Sequence, residues 1–500
     1  MRALDRKLVR DLWRSRAQAL AIALVVGCGV ATFVMSLGTL RSLEETRAAY
    51  YEQYRFADVF ASLERAPEGL AARIGRIPGV KRVETRIVKD VTLDVAGMAE
   101  PATGRLVSLP AHWRPGLNDV TVRRGRYLAP TRPDEVLVGE AFAEAHGLGP
   151  GDTLEATING RKRRLSIVGV ALSPEYVYSI GPGVIVPDDR RFGVLWMARE
   201  ALAAAFDLDG AFNDVSLSLM RAASTPEVLA RLDGLLEPYG GIGAYDRSDQ
   251  LSDAYLSGEM DQLSAIGKVV PPIFLAVAIF LLYVVLSRLI DTEREQIGLL
   301  KAFGYGNAVL GWHYLKFVLV VVGFGVVIGM LGGAWLGHAV TDLYTQFFRF
   351  PFLYYRPSLG LFASAALITV AAAGAGTLTA VRRAASLAPA TAMAPAVPTV
   401  YRKSPLERLA LSRFSGAPTR MILRQLGRWP LRAGLTTLGI AMAVAILVGS
   451  LFTYDAVNHM IDTYFHHAQR QDVTVTFVDS LPRRVLEEIE RLPGVLAAEP

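Results

Sequence analysis

Apolar positions follow two different patterns along this chain. At 17–40, 269–287, 309–341, 359–381 and 433–454 they form long, nearly uninterrupted runs with few ionisable residues. Each run meets or approaches the ~20 residues an α-helix needs to cross a bilayer core. Between the first two runs, residues 41–268 mix short alternating stretches with turn residues, the pattern of a folded α+β domain. The chain therefore predicts a membrane α-helical bundle with a large α+β domain inserted after its first span. Pro271 and Pro272 lie at the start of the second run and predict a break or bend there, because an interior proline removes a helical hydrogen bond.

Within the inserted segment, 58–63 reads as a strand and 67–76 as a helix stopped at Pro78-Gly79, while 80–95 alternates like a strand. Much later 214–219 alternates again, Ser224-Thr225-Pro226-Glu227 has capping-box spacing, and 243–245 closes the pattern. This is βαβ, an insertion, then βαβ, and two such units can form one ferredoxin-like sheet. The insertion, about 98–212, reads as a β-rich subdomain in which Asn159-Gly160 joins strands at 154–158 and 163–170, a strong hairpin signal. Tyr176, Tyr178, Phe192, Leu195, Trp196 and Met197 fall in a stretch that reads as loop, suited either to packing or to contact with a substrate or partner. From 248 to 267, Leu251, Tyr255, Met260 and Leu263 recur at helical spacing, so a helical stalk leads into the second span.

Charge sets the orientation. Arg2, Lys7, Arg10, Arg14 and Arg16 precede the first span, and the segment 382–432 carries many arginines against the single acid Glu407. Basic loops stay cytoplasmic. Residues 1–16, 288–308 and 382–432 are then cytoplasmic, whereas 41–268, the short loop 342–358 and 455–500 are external. The whole chain is 52% hydrophobic and 20% charged, with mean hydropathy +0.31, so only part of it is embedded. The single cysteine, Cys28, excludes an internal disulfide framework and reads as a small packing residue. Lys268 beside the proline pair reads as snorkelling to the outer interface.

A long-range repeat is present. Arg10, Leu12 and Arg14 match Arg424, Leu426 and Arg428; Asp58-Val59 matches Asp472-Val473; Ile77-Pro78-Gly79-Val80 matches Leu492-Pro493-Gly494-Val495. The offset is about 415 residues, as for a duplicated unit. The expectation is that the fifth span opens a second copy, cut short at 455–500, and that the intact gene continues past Pro500.

The most specific motif lies between the second and third spans. Glu293, Arg294, Glu295, Ile297, Gly298, Leu300, Lys301 and Gly304 form a short charged helix with an apolar ridge and a glycine stop. A partner could grip such a segment through its charges and that ridge. The run from Glu293 to Gly304 resembles, in register from Ile297 to Gly304 as I-G-x-L-x-A-x-G, the E-R-x-x-E-I-G-x-L-x-A-x-G coupling segment of FtsX-like ABC transporter permeases, the family of MacB-type exporters and lipoprotein-releasing permeases. Gln296 stands where the family usually has Glu. Arg383-Ala384-Ala385-Ser386-Leu387-Ala388-Pro389-Ala390 resembles the family's R-x-x-x-L-x-P-x-x-A ending.

The resemblance implies porter-like βαβ units in the external domain and a multi-pass permease of the bacterial inner membrane with a cytoplasmic N-terminus. It implies a separate ABC ATPase subunit docked on the coupling helix. Closure of the ATPases would move the stalk and external domain so as to export or extract a lipid, lipoprotein, peptide or drug-like substrate. The alternative is a mechanotransmitting scaffold that activates an extracytoplasmic enzyme such as a cell-wall hydrolase. Further implied partners are a membrane-fusion adaptor and membrane lipids, with a pseudo-dimer inside the full-length chain or a homodimer. Replacing Glu293 and Arg294 by Ala is expected to cut ATPase association.

No phosphate-cradling G-x-x-x-x-G-K-[ST] occurs, nor H-E-x-x-H, nor G-x-S-x-G. No catalytic set, cofactor or nucleic-acid role is expected; His459, His466 and His467 lack partners at metal-ligand spacing, and the substrate-binding residues stay unknown.

Overall fold

The computed structural model describes residues 3–110, 112, 114–129, 131–182, 184, 186–386, 430–468, 471–473, 475 and 481–499. Its helices are α1 (Ala3–Arg14), α2 (Arg16–Gln53), α3 (Leu70–Ile74), α4 (Glu140–His146), α5 (Arg199–Ala205), α6 (Thr225–Leu236), α7 (Leu251–Thr292), α8 (Arg294–Ala302), α9 (Asn307–Phe347), α10 (Leu359–Ser386), α11 (Pro430–Asp462) and α12 (Arg484–Glu490). Its strands are β1 (Val59–Pro67), β2 (Val80–Arg86), β3 (Val88–Asp94), β4 (Ala102–Leu109), β5 (Thr121–Gly125), β6 (Glu135–Gly139), β7 (Thr153–Ile158), β8 (Arg161–Leu172), β9 (Phe192–Ala198), β10 (Ala211–Leu219) and β11 (Ala244–Asp246).

The chain divides into two compact units. The helical unit comprises residues 1–46, 258–346 and 353–457; the α/β unit comprises 47–257, 347–352 and 458–500. Among the described residues, α2, α7, α9, α10 and α11 each contain a stretch long and apolar enough to cross a membrane.

In the helical unit each of four helices turns one stripe inward. Ile22, Val26, Val30 and Val34 on α2 meet Ala278, Leu282 and Leu286 on α7, Tyr314, Phe317, Val321 and Val322 on α9, and Leu361 and Ala365 on α10. The four-residue spacing keeps each set on one face. Glycines bring α9 against α2: a Cβ at Gly325 would lie 2.6 Å from the Ala23 carbonyl oxygen, and one at Gly329 2.6 Å from Val30 Cβ. Close approach through small residues is how apolar helices gain contact where lipid supplies no hydrophobic drive. Cys28 is exposed on α2, correcting its reading as a small packing residue. The helix α7 passes through Pro271 and Pro272 without a break. Each proline leaves the carbonyl four residues back, at Gly267 and Lys268, without its helical donor, while its own carbonyl can still accept from the next turn. At 42 residues, α7 is about 63 Å long, well beyond a bilayer core. The basic linker and the Leu387–Ala390 half of the C-terminal motif fall outside the described residues, as does the side chain of His466.

The α/β unit holds two sheets. The smaller has the antiparallel order β11-β1-β10-β2, the arrangement of two interleaved βαβ units, and α3 and α6 pack Leu70, Ile74, Val228, Leu232 and Leu236 on its apolar face. The larger has the order β5-β8-β6-β9-β4-β3-β7, and β7 pairs again with β8. Six strands therefore close on themselves, with β5 added alongside β8. Asn159 and Gly160 both take positive φ, 48° and 70°, making the two-residue β7–β8 turn.

Two expectations are corrected here. The alternating stretch 80–95 is two strands in two sheets, and the insertion begins at Val88, not near 98. At the switch, Asn213 replaces the missing ladder: its Oδ1 accepts from Val88 N at 2.8 Å and its Nδ2 donates to Val88 O at 2.7 Å. Second, Phe192, Leu195, Trp196 and Met197 are not loop but strand β9, buried on both faces. Leu195 and Met197 enter one core, Phe192 and Trp196 the other.

A buried ionic cluster ties the sheets together. Arg86 on β2 donates to Asp214 on β10 at 2.9 Å and to both carboxylate oxygens of Glu175 at 2.5 and 3.0 Å. Gln250, just before α7, donates to the Glu175 carbonyl at 2.9 Å. Burial raises the Asp214 carboxyl above its ordinary range, against the pull of Arg86.

The repeated Pro-Gly-Val segments adopt one conformation. Gly79 and Gly494 have φ of 95° and 93°. Val80 N bonds Ile77 O at 3.1 Å, and Val495 N bonds Leu492 O at 3.2 Å.

Candidate coupling segment

The charged motif forms α8, a nine-residue helix set off from α7 by one non-helical residue, Glu293, with φ −94° and ψ 11°. Its end is a Schellman motif. Gly304, at φ 91°, donates to the Lys301 carbonyl at 2.9 Å, and Tyr305 N reaches back to Leu300 O at 3.2 Å. This cap requires a left-handed residue, which glycine adopts at least cost. Leu300 and Tyr305, the hydrophobic pair that accompanies such a cap, both pack on the helical core.

The side chains of α8 divide into two faces. Ile297 is fully buried and Gly298 is buried beside it. Arg294, Leu300 and Lys301 are half-buried, and Lys301 Nζ donates to the Ala385 carbonyl on α10 at 2.7 Å. Glu295 and Gln296 are exposed, as are Leu299 at 51% and Phe303 at 74%. Leu299 and Phe303 stand one turn apart, so they form a single apolar knob beside a polar pair.

Glu293 is not on that outer face. Its carboxylate is buried, 2.5 Å from Lys7 Nζ on α1, and accepts from the Tyr314 hydroxyl at 3.1 Å. The same ammonium lies 2.7 Å from Asp11, and Lys316 reaches Asp5 at 3.0 Å. These contacts fasten α1 to α8 and α9. In the sequence Lys7 read only as part of a basic leader. Nothing local marks it as the partner of a residue nearly three hundred positions away.

Two segments of the chain match known families. Residues 18–235 match the MacB-like periplasmic core domain, and residues 269–389 match the FtsX-like permease C-terminal domain. An uncharacterized ABC transporter permease protein of Mycobacterium tuberculosis, Rv0987, is 23% identical over 216 residues. The match takes in 43% of this chain and 23% of that protein, so the chain spans under a quarter of that relative's length. Among solved structures, the extracellular domain of the noncanonic ABC-type transporter YknZ from Gram-positive bacteria aligns over 38% of this chain and 98% of its own, at 14% identity and TM-score 0.26. The periplasmic region of MacB from Actinobacillus actinomycetemcomitans aligns over 40% and 92%, at 11% identity and TM-score 0.26. Both family segments lie on one chain with five candidate membrane spans among its described residues, and the chain is similar to ABC transporter permeases of the FtsX-like and MacB-like type.

Proposed function

We propose that this chain is the permease subunit of an ABC transporter and that α8 docks a separate ATPase subunit through the face formed by Glu295, Gln296, Leu299 and Phe303. The observation that carries this reading is the two-faced construction of α8. Its inner side is fixed by Ile297, Gly298 and the Lys7–Glu293 pair, while a compact apolar knob stays outside. A rigid knob can transmit displacement, which a mobile loop cannot. Glu293, Arg294, Lys301 and Gly304 shape and hold the hairpin, and Glu295 supplies charge at its rim. The basic leader favours a cytoplasmic N-terminus in a bacterial inner membrane. ATP hydrolysis then belongs to the partner. The long helices α2 and α7 each continue from an apolar span into the α/β unit, giving a covalent route for motion to a porter-like base of interleaved βαβ units. The substrate class this mechanism suits is a lipid, lipoprotein, peptide or amphipathic drug handled at the α/β unit. The test is co-purification with ABC ATPase subunits. Leu299→Glu and Phe303→Glu are expected to reduce association at least tenfold with membrane insertion intact; undiminished association refutes the docking face.

A further inference from the structure

The connection between α9 and α10 is short, yet residues 347–352 belong to the α/β unit although the helices on either side belong to the helical unit. Its contacts are specific. The ring of Phe348 stacks on Tyr178 at 5.3 Å, and Tyr178 packs on Tyr255 of α7 at 4.7 Å. The backbone N–H of Arg349 donates to the Val177 carbonyl at 2.8 Å. Its guanidinium lies 2.7 Å from Glu144 on α4 and 3.5 Å from Asp189. Phe350 meets Tyr50 of α2 edge-on at 6.0 Å, and Arg123 on β5 donates to the Phe350 carbonyl at 3.0 Å. Phe348 and Phe350 are each only 6% exposed.

A few residues on, the chain is anchored a second time, within the helical unit. The Tyr355 hydroxyl donates to the Val34 carbonyl at 3.3 Å, and its ring fills the space a Cβ would occupy at Gly38 and Gly337. Arg41 donates to Ser358 at 3.0 Å. Five peptide units separate Phe350 from Tyr355, and an extended chain gains at most about 3.5 Å per residue. Such a segment transmits tension with little slack.

We propose that residues 347–358 form a strap, a further mechanical link that ties α9 and α10 to the closed β-subdomain in addition to α2 and α7, with Phe348 and Arg349 as its positioning residues. Loops between adjacent spans are ordinarily solvated and variable. This one buries two aromatic rings and places an arginine between two acids of separate segments. It contacts β5, α4 and the segment after β8, all parts of the β-subdomain, as well as Tyr50 of α2, whereas α2 and α7 continue in sequence into the smaller sheet.

The inference rests on the coupling reading above, and its test separates the two. The full chain, with Cys28→Ser, is purified with its ATPase subunit in lipid nanodiscs. Spin labels replace the exposed Lys162 on the β-subdomain and Glu227 on α6, and their separation is measured without nucleotide and with ATP plus vanadate. The unmodified strap is expected to give a nucleotide-dependent change. Phe348→Ala and Arg349→Ala should lose at least half of it, and Arg349→Lys, which keeps the charge, should retain most, with ATPase co-purification unchanged in all. A full-sized change in both alanine variants overturns the strap alone. No change even with the native strap overturns the coupling reading and the strap with it.

Discussion

Replacing Lys7 by Ala tests whether the N-terminal helix holds α8 in place. One ammonium serves two buried carboxylates, Glu293 at 2.5 Å and Asp11 at 2.7 Å, and the Lys7 and Glu293 side chains are each 10% exposed. Removing one partner of a buried ion pair costs about 3–5 kcal/mol, because the remaining charge keeps its desolvation penalty. Glu293 retains the Tyr314 hydroxyl, so we take the lower end, about 3 kcal/mol. A nine-residue helix has almost no stability of its own, so that loss should appear as local opening of α8. The amide protons of residues 297–302 are expected to exchange about a hundredfold faster, at tenfold per 1.4 kcal/mol. The measurement is hydrogen exchange on the full chain in nanodiscs. Lys7→Met combined with Glu293→Gln leaves Asp11 but removes the stranded charge at α8, and should recover most of the protection. Arg231→Ala, which breaks an exposed pair with Glu227, should change nothing, since such pairs contribute about 0–1 kcal/mol. Exchange at α8 within twofold of normal in Lys7→Ala would refute the latch.

Gly329→Leu should destabilise the helical unit by at least about 1–3 kcal/mol, the usual cost of overpacking, because its Cβ would meet Val30 Cβ at 2.6 Å and the Gly27 carbonyl at 2.7 Å. Gly323→Leu, on the same helix with nothing within 4 Å, should leave the thermal midpoint in detergent unchanged; equal effects would sink the close-approach argument. The Asp214 carboxyl, raised by burial, binds its proton more tightly folded than unfolded. Its contribution therefore favours the fold at low pH and is lost as pH rises from about 3.9, the unfolded value, through the raised folded value. Asp214→Asn should lower stability by about 1–3 kcal/mol through its lost bond to Arg86 and flatten that part of the pH profile. A slope unchanged by the substitution would show that another group sets it.

The parts of this fold legible in sequence are those fixed by local pattern. Uninterrupted apolar runs marked the five candidate spans, and Asn159-Gly160 marked its hairpin because both residues tolerate positive φ. Gly304 marked the end of α8 for the same reason. What stayed hidden depends on contacts distant in sequence. Alternation through 80–95 gives no sign that the chain changes sheets at Ile87, because both strands bury alternate residues. The strand β9 looked like loop because a strand buried on both faces has no alternation. In the coupling segment, sequence located the helix and its stop but not which charges face outward. Glu293 reads as exposed until Lys7 and Tyr314 are seen around it. Phe303 read as one letter of a motif until the fold left it bare beside Leu299.

The central claim is that the outer face of α8 meets an ATPase subunit. The most direct measurement is site-specific photo-crosslinking of the full chain in membranes, with the photoreactive side chain placed in turn at Leu299, Phe303 and the exposed Trp335 of α9. The account expects an ATPase adduct from positions 299 and 303 and none from 335. Absence of an adduct at both α8 positions, or equal capture at 335, would contradict it.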